Sequence, residues 1–311
     1  MIISIGEVLI DFIAKEEGKL KNIKEFERHP GGAPANVSVG LSRLGVKSAL
    51  VSKVGDDPFG EFLIESLKKE GVETKYIVKD PEKHTGVVFV QLIGAKPEFI
   101  LYDGVAYFNM KPGDIKVDIE KAELIHFGSV LFAREPSRST IFEVLKKSKG
   151  KVPISYDVNI RLDLWREREE EMVKDIERGL KLANIVKIGD AELEYLQKNG
   201  IEMTDSNFAL VAITKGARGC TILHSDLKVD IPSYEVQPLD TTGAGDAFMA
   251  ALLASLKYMN KLHALEFSRE ELREVGRFAN LVAALSTTTT GAWSVPTLEK
   301  IKCYEKFHFL P

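Results

Sequence analysis

The amino-acid sequence predicts an α/β fold: a mostly parallel central sheet flanked by helices, with a small β-sheet projecting from it as a lid. Three observations point this way. Short β-type runs alternate with stretches of helical spacing over most of the chain. Those runs are mainly apolar, as strands covered on both faces must be. One region, TGVVFVQLIGAKPEFILYDGVAYFNM (85–110), offers two strands in succession around a Gly-Ala-Lys-Pro turn, with no helix between them.

Taken in order, MIISIGEVLIDFI (1–13) reads as a first strand. It lacks a basic leader and a small-residue cleavage site and carries Glu7 and Asp11, so it is not a secretory signal. DFIAKEEG (11–18) and KEFERHPGG (24–32) alternate and turn, and with the later hairpin they form the lid, over about 12–30 and 85–109. PANVSVGLSRLG (34–45) is a helix with Pro34 in its first turn and Gly45 as its cap, followed by the strand SALVSKVG (48–55). PFGEFLIESLKKEG (58–71) repeats that punctuation. Later strands are ELIHFGSV (123–130), VPISYDVNI (152–160), NIVKIG (184–189) and LVAIT (210–214). LKKSKGK (145–151) and EREEEMVKDIERGLKLAN (167–184) read as solvated helix surface, the second with acid leading and base following to match the helix dipole. No repeat or Ser-rich linker divides the chain, so residues 1–311 form one domain from which the lid is an excursion.

Composition excludes several classes. Apolar residues at 44% indicate a full core rather than disorder. Forty-two basic against 46 acidic side chains give a net charge of −4, with no positive field to hold nucleic acid. Cys220 and Cys303 lie far apart without a Cys-x-x-Cys, and the six histidines show no ligand spacing, which argues against structural zinc. The longest apolar stretch, AFMAALLASL (247–256), falls short of the roughly 20 residues a bilayer requires. The expectation is a cytoplasmic protein with no membrane partner.

The most informative segment is DTTGAGDAFMAALLASL (240–256). Gly243, Ala244 and Gly245 precede an apolar helix that begins at Asp246, and their amides, at the positive end of the helix dipole, make an anion site suited to phosphate. A helix N-cap would explain Asp246 alone. It would not explain two glycines, two threonines and Asp240 crowded into the same turn. An aspartate beside an anion-holding turn can accept a proton from a hydroxyl attacking a phosphoryl group. The P-loop string GxxxxGK[ST] is absent, and the dinucleotide fingerprint GxGxxG fails because Phe248 stands where its third glycine belongs, which removes support for hydride transfer.

A second glycine site, PGGAPAN (30–36), brings Gly31, Gly32 and Asn36 ahead of the first helix. Glu7 and Asp11, four apart, share a strand face at period two, where sugar hydroxyls would be suitable partners; a strand-end acid meeting solvent is the alternative. Asp157, Asn159 and Arg161 alternate at the end of another strand, where ligands of parallel sheets bind, or else simply form a polar strand end.

On GEVLID (6–11), GGAPAN (31–36), DVNIRLDLW (157–165), TKGARG (214–219) and DTTGAGDAF (240–248), the chain resembles the ribokinase family, the PfkB-type carbohydrate kinases. The resemblance implies a ribokinase-like body, a β lid over the sugar, and transfer of the γ-phosphoryl group of ATP to a sugar hydroxyl with Mg2+. It implies Asp246 as general base, Gly243, Ala244 and Gly245 as anion hole, and Asp11, Gly31, Gly32 and Asn36 around the sugar, with Tyr102, Asn159 and Arg161 nearby. It further implies Lys187, Thr214, Gly216 and Gly219 at the nucleotide, Asn280 near the adenine, Glu192 organising magnesium indirectly, and a monovalent cation such as K+ at Asp240 and Thr242. Relatives often pair through their lids, so a homodimer is expected.

The chain also departs from the pattern. An Asn-x-x-Glu segment is represented by Gly189 to Glu192, without the asparagine. Fructokinases and 2-keto-3-deoxygluconate kinases are the most similar members, yet the arginine typical of their lid strand is Tyr102 here, and a typical acid is Tyr107. Loss of an arginine counts against a carboxylate-bearing sugar; Arg161 keeps that alternative open. The expectation is phosphorylation of a primary hydroxyl of a neutral monosaccharide, fructose first. A nucleoside is a further alternative, with Tyr102, Tyr107 and Phe108 stacking on its base. A non-catalytic sensor would be expected to have lost the base or the glycine turn, and both are intact.

Overall fold

The computed structural model describes residues 1–93, 96–203 and 208–311. Strand β1 (Ile2–Ile5) ends at Gly6, whose N–H donates to Val51 O at 3.1 Å. The segment expected as one strand is therefore two, because the chain breaks at residues 6–8 and then enters a different sheet as β2 (Leu9–Ala14). Glu7 sits in that crossover, outside any strand, so the strand face it was expected to share with Asp11 does not exist.

The chain continues through β3 (Phe26–Gly31), α1 (Ala33–Arg43), β4 (Ser48–Gly55), α2 (Pro58–Lys69), β5 (Ile77–Asp80), β6 (Val87–Ile93), β7 (Lys96–Leu101) and β8 (Leu124–Gly128). There follow α3 (Ser137–Ser148), β9 (Ile154–Asp157), α4 (Glu169–Leu180), β10 (Ile185–Gly189), α5 (Asp190–Lys198) and β11 (Leu210–Thr214). The last elements are β12 (Cys220–His224), β13 (Leu227–Ile231), α6 (Ala244–Tyr258), α7 (Arg269–Ser286) and α8 (Leu298–Tyr304).

Nine strands form the main sheet in the order β13-β12-β11-β10-β9-β8-β1-β4-β5. From β11 to β5 its pairs are parallel; β12 and β13 close the other edge antiparallel. Helices α1, α6, α7 and α8 bury apolar side chains on one face, and α3, α4 and α5 on the other. The doubly covered strands explain the continuous apolar runs of the sequence.

The second sheet has the order β3-β2-β6-β7. Phe12 and Phe89 are in register and stack with ring centroids 5.2 Å apart, whereas Asp11 pairs with Val88 on the opposite face. The turn expected between β6 and β7 includes Gly94 and Ala95, which lie outside the described residues. The sheet ends at Leu101, short of the expected 109: Tyr107 and Phe108 return to the body, are 2% and 3% exposed, and pack on each other with centroids 4.5 Å apart. The stacking on a nucleobase that the nucleoside alternative would draw from these two rings is not open to them, because their faces are already covered.

Helix α4 also departs from the solvated surface expected of it. Asp175 is buried and paired to Arg138 and Arg178, each at 2.7 Å. No helix among the described residues is long and apolar enough to cross a membrane.

Helix α6 begins at Ala244, two residues earlier than expected, and is buried almost throughout. It crosses α1 where Gly40 faces Ala250: a Cβ on Gly40 would stand 2.6 Å from that of Ala250. Alanine favours a helix over glycine by about 1 kcal/mol, but overpacking a core costs about 1–3 kcal/mol, and neither backbone can yield cheaply at a helix crossing. Gly40→Ala is therefore expected to lower the urea midpoint without changing the slope m; a raised midpoint would show that the crossing can open.

Candidate active site

Strand β1 lies between β4 and β8, the point from which the chain builds outward in both directions, and in such sheets ligands bind beyond the carboxyl ends of the strands. At those ends stand Glu7 after β1, Asp157 closing β9, and Lys187 in β10.

Onto this edge the start of α6 is laid. Gly243 precedes the helix with φ 76°, a conformation that favours glycine, and a Cβ there would stand 2.8 Å from Ala292 O. Asp240 ties the turn together: its Oδ1 accepts from Thr242 N and its Oδ2 from Gly291 N, both at 2.8 Å. The first amides of the helix have no intrahelical acceptor; that of Ala244 is directed at Thr241 O at 3.2 Å. A Cβ on Gly245 would lie 3.0 Å from Lys187 Nζ, so the ammonium stands beside the turn. Helix dipole and lysine together bring positive charge to this turn.

Asp246 occupies the third position of α6 and is not the N-cap that local spacing allowed. It is 8% exposed, and its Oδ2 accepts from Asn36 Nδ2 at 2.7 Å. The other face of that amide is also engaged, since Asn36 Oδ1 accepts from Trp293 Nε1 at 2.8 Å. Trp293 was not anticipated; the only local signal is an aromatic with a polar tip following the Gly291-Ala292 pair.

Electrostatics set this edge apart. Burial raises the pKa of Asp246, opposed by Lys187, by the Asn36 hydrogen bond and by Arg161. Burial likewise pushes Glu7 up to about 7, although its Oε1 accepts from Ala33 N at 3.0 Å. Asp11 is pushed up to about 7, first by burial, with Asp246 and Asp240 adding and Arg161 opposing. Asp157 rises to about 6 through burial despite accepting Lys187 Nζ on both oxygens, at 2.9 and 2.8 Å. Burial alone would raise Asp240 too, but the Gly291 and Thr242 amides outweigh it and hold it below the usual range.

Of the expected sugar-side residues, the structure brings Asp11, Gly31, Gly32 and Asn36 together. Gly32 has φ 102° and a Cβ there would stand 2.6 Å from Glu7 O; a Cβ on Gly31 would overlap the Asp11 carboxylate. Asp157, Asn159 and Arg161 do not alternate on one strand, because β9 ends at Asp157 and Asn159 takes φ 40°. Arg161 is nonetheless exposed, and its charge reaches Glu7, Asp11 and Asp246. Tyr102 is a correction: its ring rests edge-on against Phe89, on the face of the small sheet opposite Asp11, so the register turns it away from that carboxylate.

On the nucleotide side, Thr214 ends β11 in register with Gly189, and Gly216 and Gly219 shape the turn into β12. Asn280 does not offer its amide nitrogen to a ligand: the residue is 4% exposed and Nδ2 donates to Ile231 O and Pro232 O at 3.2 and 3.0 Å, fastening α7 to the end of β13. Glu192 caps α5, accepting Gly189 N at 2.8 Å on Oε2 and Ile160 N at 2.6 Å on Oε1. Its carboxylate therefore carries main-chain bonds on both oxygens. Asp240 likewise accepts one main-chain N–H on each oxygen, from Thr242 and from Gly291. No group of three or more His, Cys, Asp or Glu placed to hold a metal occurs among the described residues.

Residues 1–298 match the family model of the pfkB family carbohydrate kinases. The fold is similar to the crystal structure of an uncharacterized sugar kinase from Pyrococcus horikoshii in complex with ATP, with 56% identity, a TM-score of 0.91 and 98% of each chain covered. It is similar to a fructokinase double mutant from Vibrio cholerae O395 in fructose, ADP and potassium ion bound form, at 29% identity and a TM-score of 0.84 over 100% of this chain and 98% of that one. Fructokinase-2 of Solanum lycopersicum is 36% identical over 310 residues, 96% of this chain and 93% of its own. With its α/β body, its small second sheet and a buried aspartate at the head of a helix, the chain belongs to the pfkB family of carbohydrate kinases.

Proposed function

We propose that this carbohydrate kinase transfers the γ-phosphoryl group of ATP to a primary hydroxyl of a neutral monosaccharide, fructose being the first choice. The observation that carries the reading is Asp246, buried at the start of α6 between the Gly243–Gly245 turn, Lys187 and Asn36. Asn36 engages Oδ2, so Oδ1 takes the proton of the attacking hydroxyl. The helix amides and Lys187 offset charge on the migrating phosphoryl group where it develops. Asp11 and Asn36 orient the sugar, and closure of the small sheet excludes water.

Magnesium in such sites is held by one or two carboxylates together with the substrate's phosphates and supplies neutralisation of phosphate charge. Glu192 would act on it at a distance, through the Gly189 and Ile160 main-chain groups that it holds. Potassium accompanies fructose and ADP in the Vibrio cholerae enzyme, and the loops tied by Asp240 are the place for it here. Exposed Ile100 and Tyr102, beside the Phe12–Phe89 stack, support pairing of two copies through the small sheet.

The neutral sugar is supported by the excess of carboxylates at the site. Glu7, Asp11, Asp157 and Asp246 crowd the site against two cations, Lys187 and Arg161, so a substrate carboxylate would add a further anion where burial already makes carboxylates hold their protons. Arg161, exposed and near Asp11, favours the second reading, 2-keto-3-deoxygluconate. An ADP-release assay across fructose, 2-keto-3-deoxygluconate, ribose and nucleosides separates them: turnover of fructose is expected, and turnover of the keto acid alone overturns the neutral-sugar reading.

Two further outcomes follow from the site. Asp246→Asn should lower kcat by at least about 100-fold, and near-normal turnover would remove Asp246 as base. Asp11 titrates near 7 in the folded chain and at an ordinary value unfolded, so as pH rises from about 4 the unfolded state sheds its proton first and this carboxylate increasingly opposes folding. Asp11→Asn should therefore leave Tm nearly unchanged at about pH 3 and raise it progressively up to about pH 8, while raising KM for the sugar. A constant Tm difference across that range would refute the assignment.

A further inference from the structure

A carboxamide is nearly symmetric in shape and opposite in polarity at its two ends, so something must decide which end of Asn36 meets Asp246. The Asn36 main chain is fixed in the first turn of α1, with its N–H donating to Gly32 O at 2.8 Å. On the side away from Asp246, the side chain meets the indole of Trp293. An indole N–H can only donate. It therefore demands the amide oxygen, and the amide nitrogen is turned to Asp246 Oδ2. In the flipped amide, donor would face donor at Trp293 and acceptor would face carboxylate at Asp246.

Trp293 is held in turn by its neighbours. Gly291 N–H donates to Asp240, and Ala292 lies against Gly243, where even a Cβ would stand 2.8 Å from its carbonyl oxygen. Three consecutive residues thus touch the cation-side carboxylate, the anion turn and the amide that binds the base. We propose that Trp293 is a positioning residue for phosphoryl transfer: its indole N–H fixes the orientation of the Asn36 amide, which then holds Asp246 with Oδ2 occupied and Oδ1 presented to the substrate hydroxyl. The inference rests on Asp246 being the base, but the hydrogen-bond relay can be measured whether or not a sugar is turned over.

The charged groups sharing this field are Lys187 and Arg161, which favour the ionised Asp246; Glu7, Asp11 and Asp157, which titrate in the same space; and, beside the loop that carries Trp293, Asp240 and the His29 imidazole that lies against Gly291. The experiment must subtract them. The chain contains two tryptophans, Trp165 and Trp293, so labelling the full-length protein with 5-fluorotryptophan gives two 19F signals, assigned by their loss in Trp293→Phe. The Trp293 signal is expected to move with pH, and the greater part of that movement is expected to vanish in Asp246→Asn, which keeps the neighbouring acids. In Trp293→Phe, which keeps an aromatic ring but removes the donor, kcat for the accepted sugar should fall by about 10- to 100-fold, with KM for ATP changing less than about twofold. The acid limb of its kcat/KM profile should shift to higher pH, since a freely flipping Asn36 no longer favours the carboxylate. A Trp293 signal with the same pH dependence in Asp246→Asn, or an acid limb that stays in place in Trp293→Phe, overturns the proposal. Should Trp293→Phe fail to fold, the signals are assigned by the one lost in Trp165→Phe, and the fluorine titration in the folded chain decides alone. Failure of every sugar to react would remove the kinase assignment of Asp246 and leave the fluorine result intact.

Discussion

Placing a carboxylate out of water at the head of α6 is the constraint to which the rest of the site answers. An ion of that size moved into a low-dielectric interior loses hydration worth about 20 kcal/mol in the idealised limit, and several kcal/mol after relaxation. The structure offsets this for Asp246 with the positive end of a buried helix, the Asn36 amide and the Lys187 ammonium. The compensation is incomplete, as the upward shift of its pKa shows. Lys187 is shared with Asp157, and Glu7 and Asp11 crowd the same edge, so protons are retained there close to neutrality. That is the condition in which a carboxylate both takes up and releases a proton readily.

The architecture favours such an arrangement beyond the carboxyl end of β1, between β4 and β8, where the strand order changes direction, and the chain reaches that edge twice. It exits β1 into the crossover that carries Glu7 and leads to Asp11, and it returns much later with the turn that opens α6. The small sheet reaches the same edge because β2 is continuous with the crossover. Asp11 and Phe12 then divide its two faces, one toward the polar site and one toward an aromatic stack. The loop at Gly291–Trp293 closes the remaining side.

Much of this was readable from short stretches of chain. The alternation of elements, the hairpin and the glycine turn before α6 all rest on neighbours within a few residues, where backbone preference and period decide. The misreadings share a cause. The apolar run 1–13 is continuous in character, yet its first part pairs with β4 and β8 and its second with β3 and β6, so packing with distant strands divides it between two sheets. Asp157, Asn159 and Arg161 kept strand spacing in sequence, but Asn159 leaves the strand conformation. Tyr102, Tyr107 and Phe108 were plausible ligand contacts until register and burial assigned them to the far face and to the core.

What the sequence alone determined is the inventory: an α/β rhythm, an anion-binding turn ahead of an apolar helix, and the acids and amides able to serve it. What only the tertiary structure decided is their pairing. Asn36 meets Asp246 across 210 positions and Trp293 across 257. Asn280, which read as a contact near the adenine, donates its amide nitrogen to Ile231 O and Pro232 O, and Glu192, read as acting on magnesium only indirectly, accepts the Gly189 and Ile160 amides. The physical reason is that a polar side chain's role depends on which partners remain once burial has removed water, and those partners are chosen by packing between elements rather than by the spacing within them.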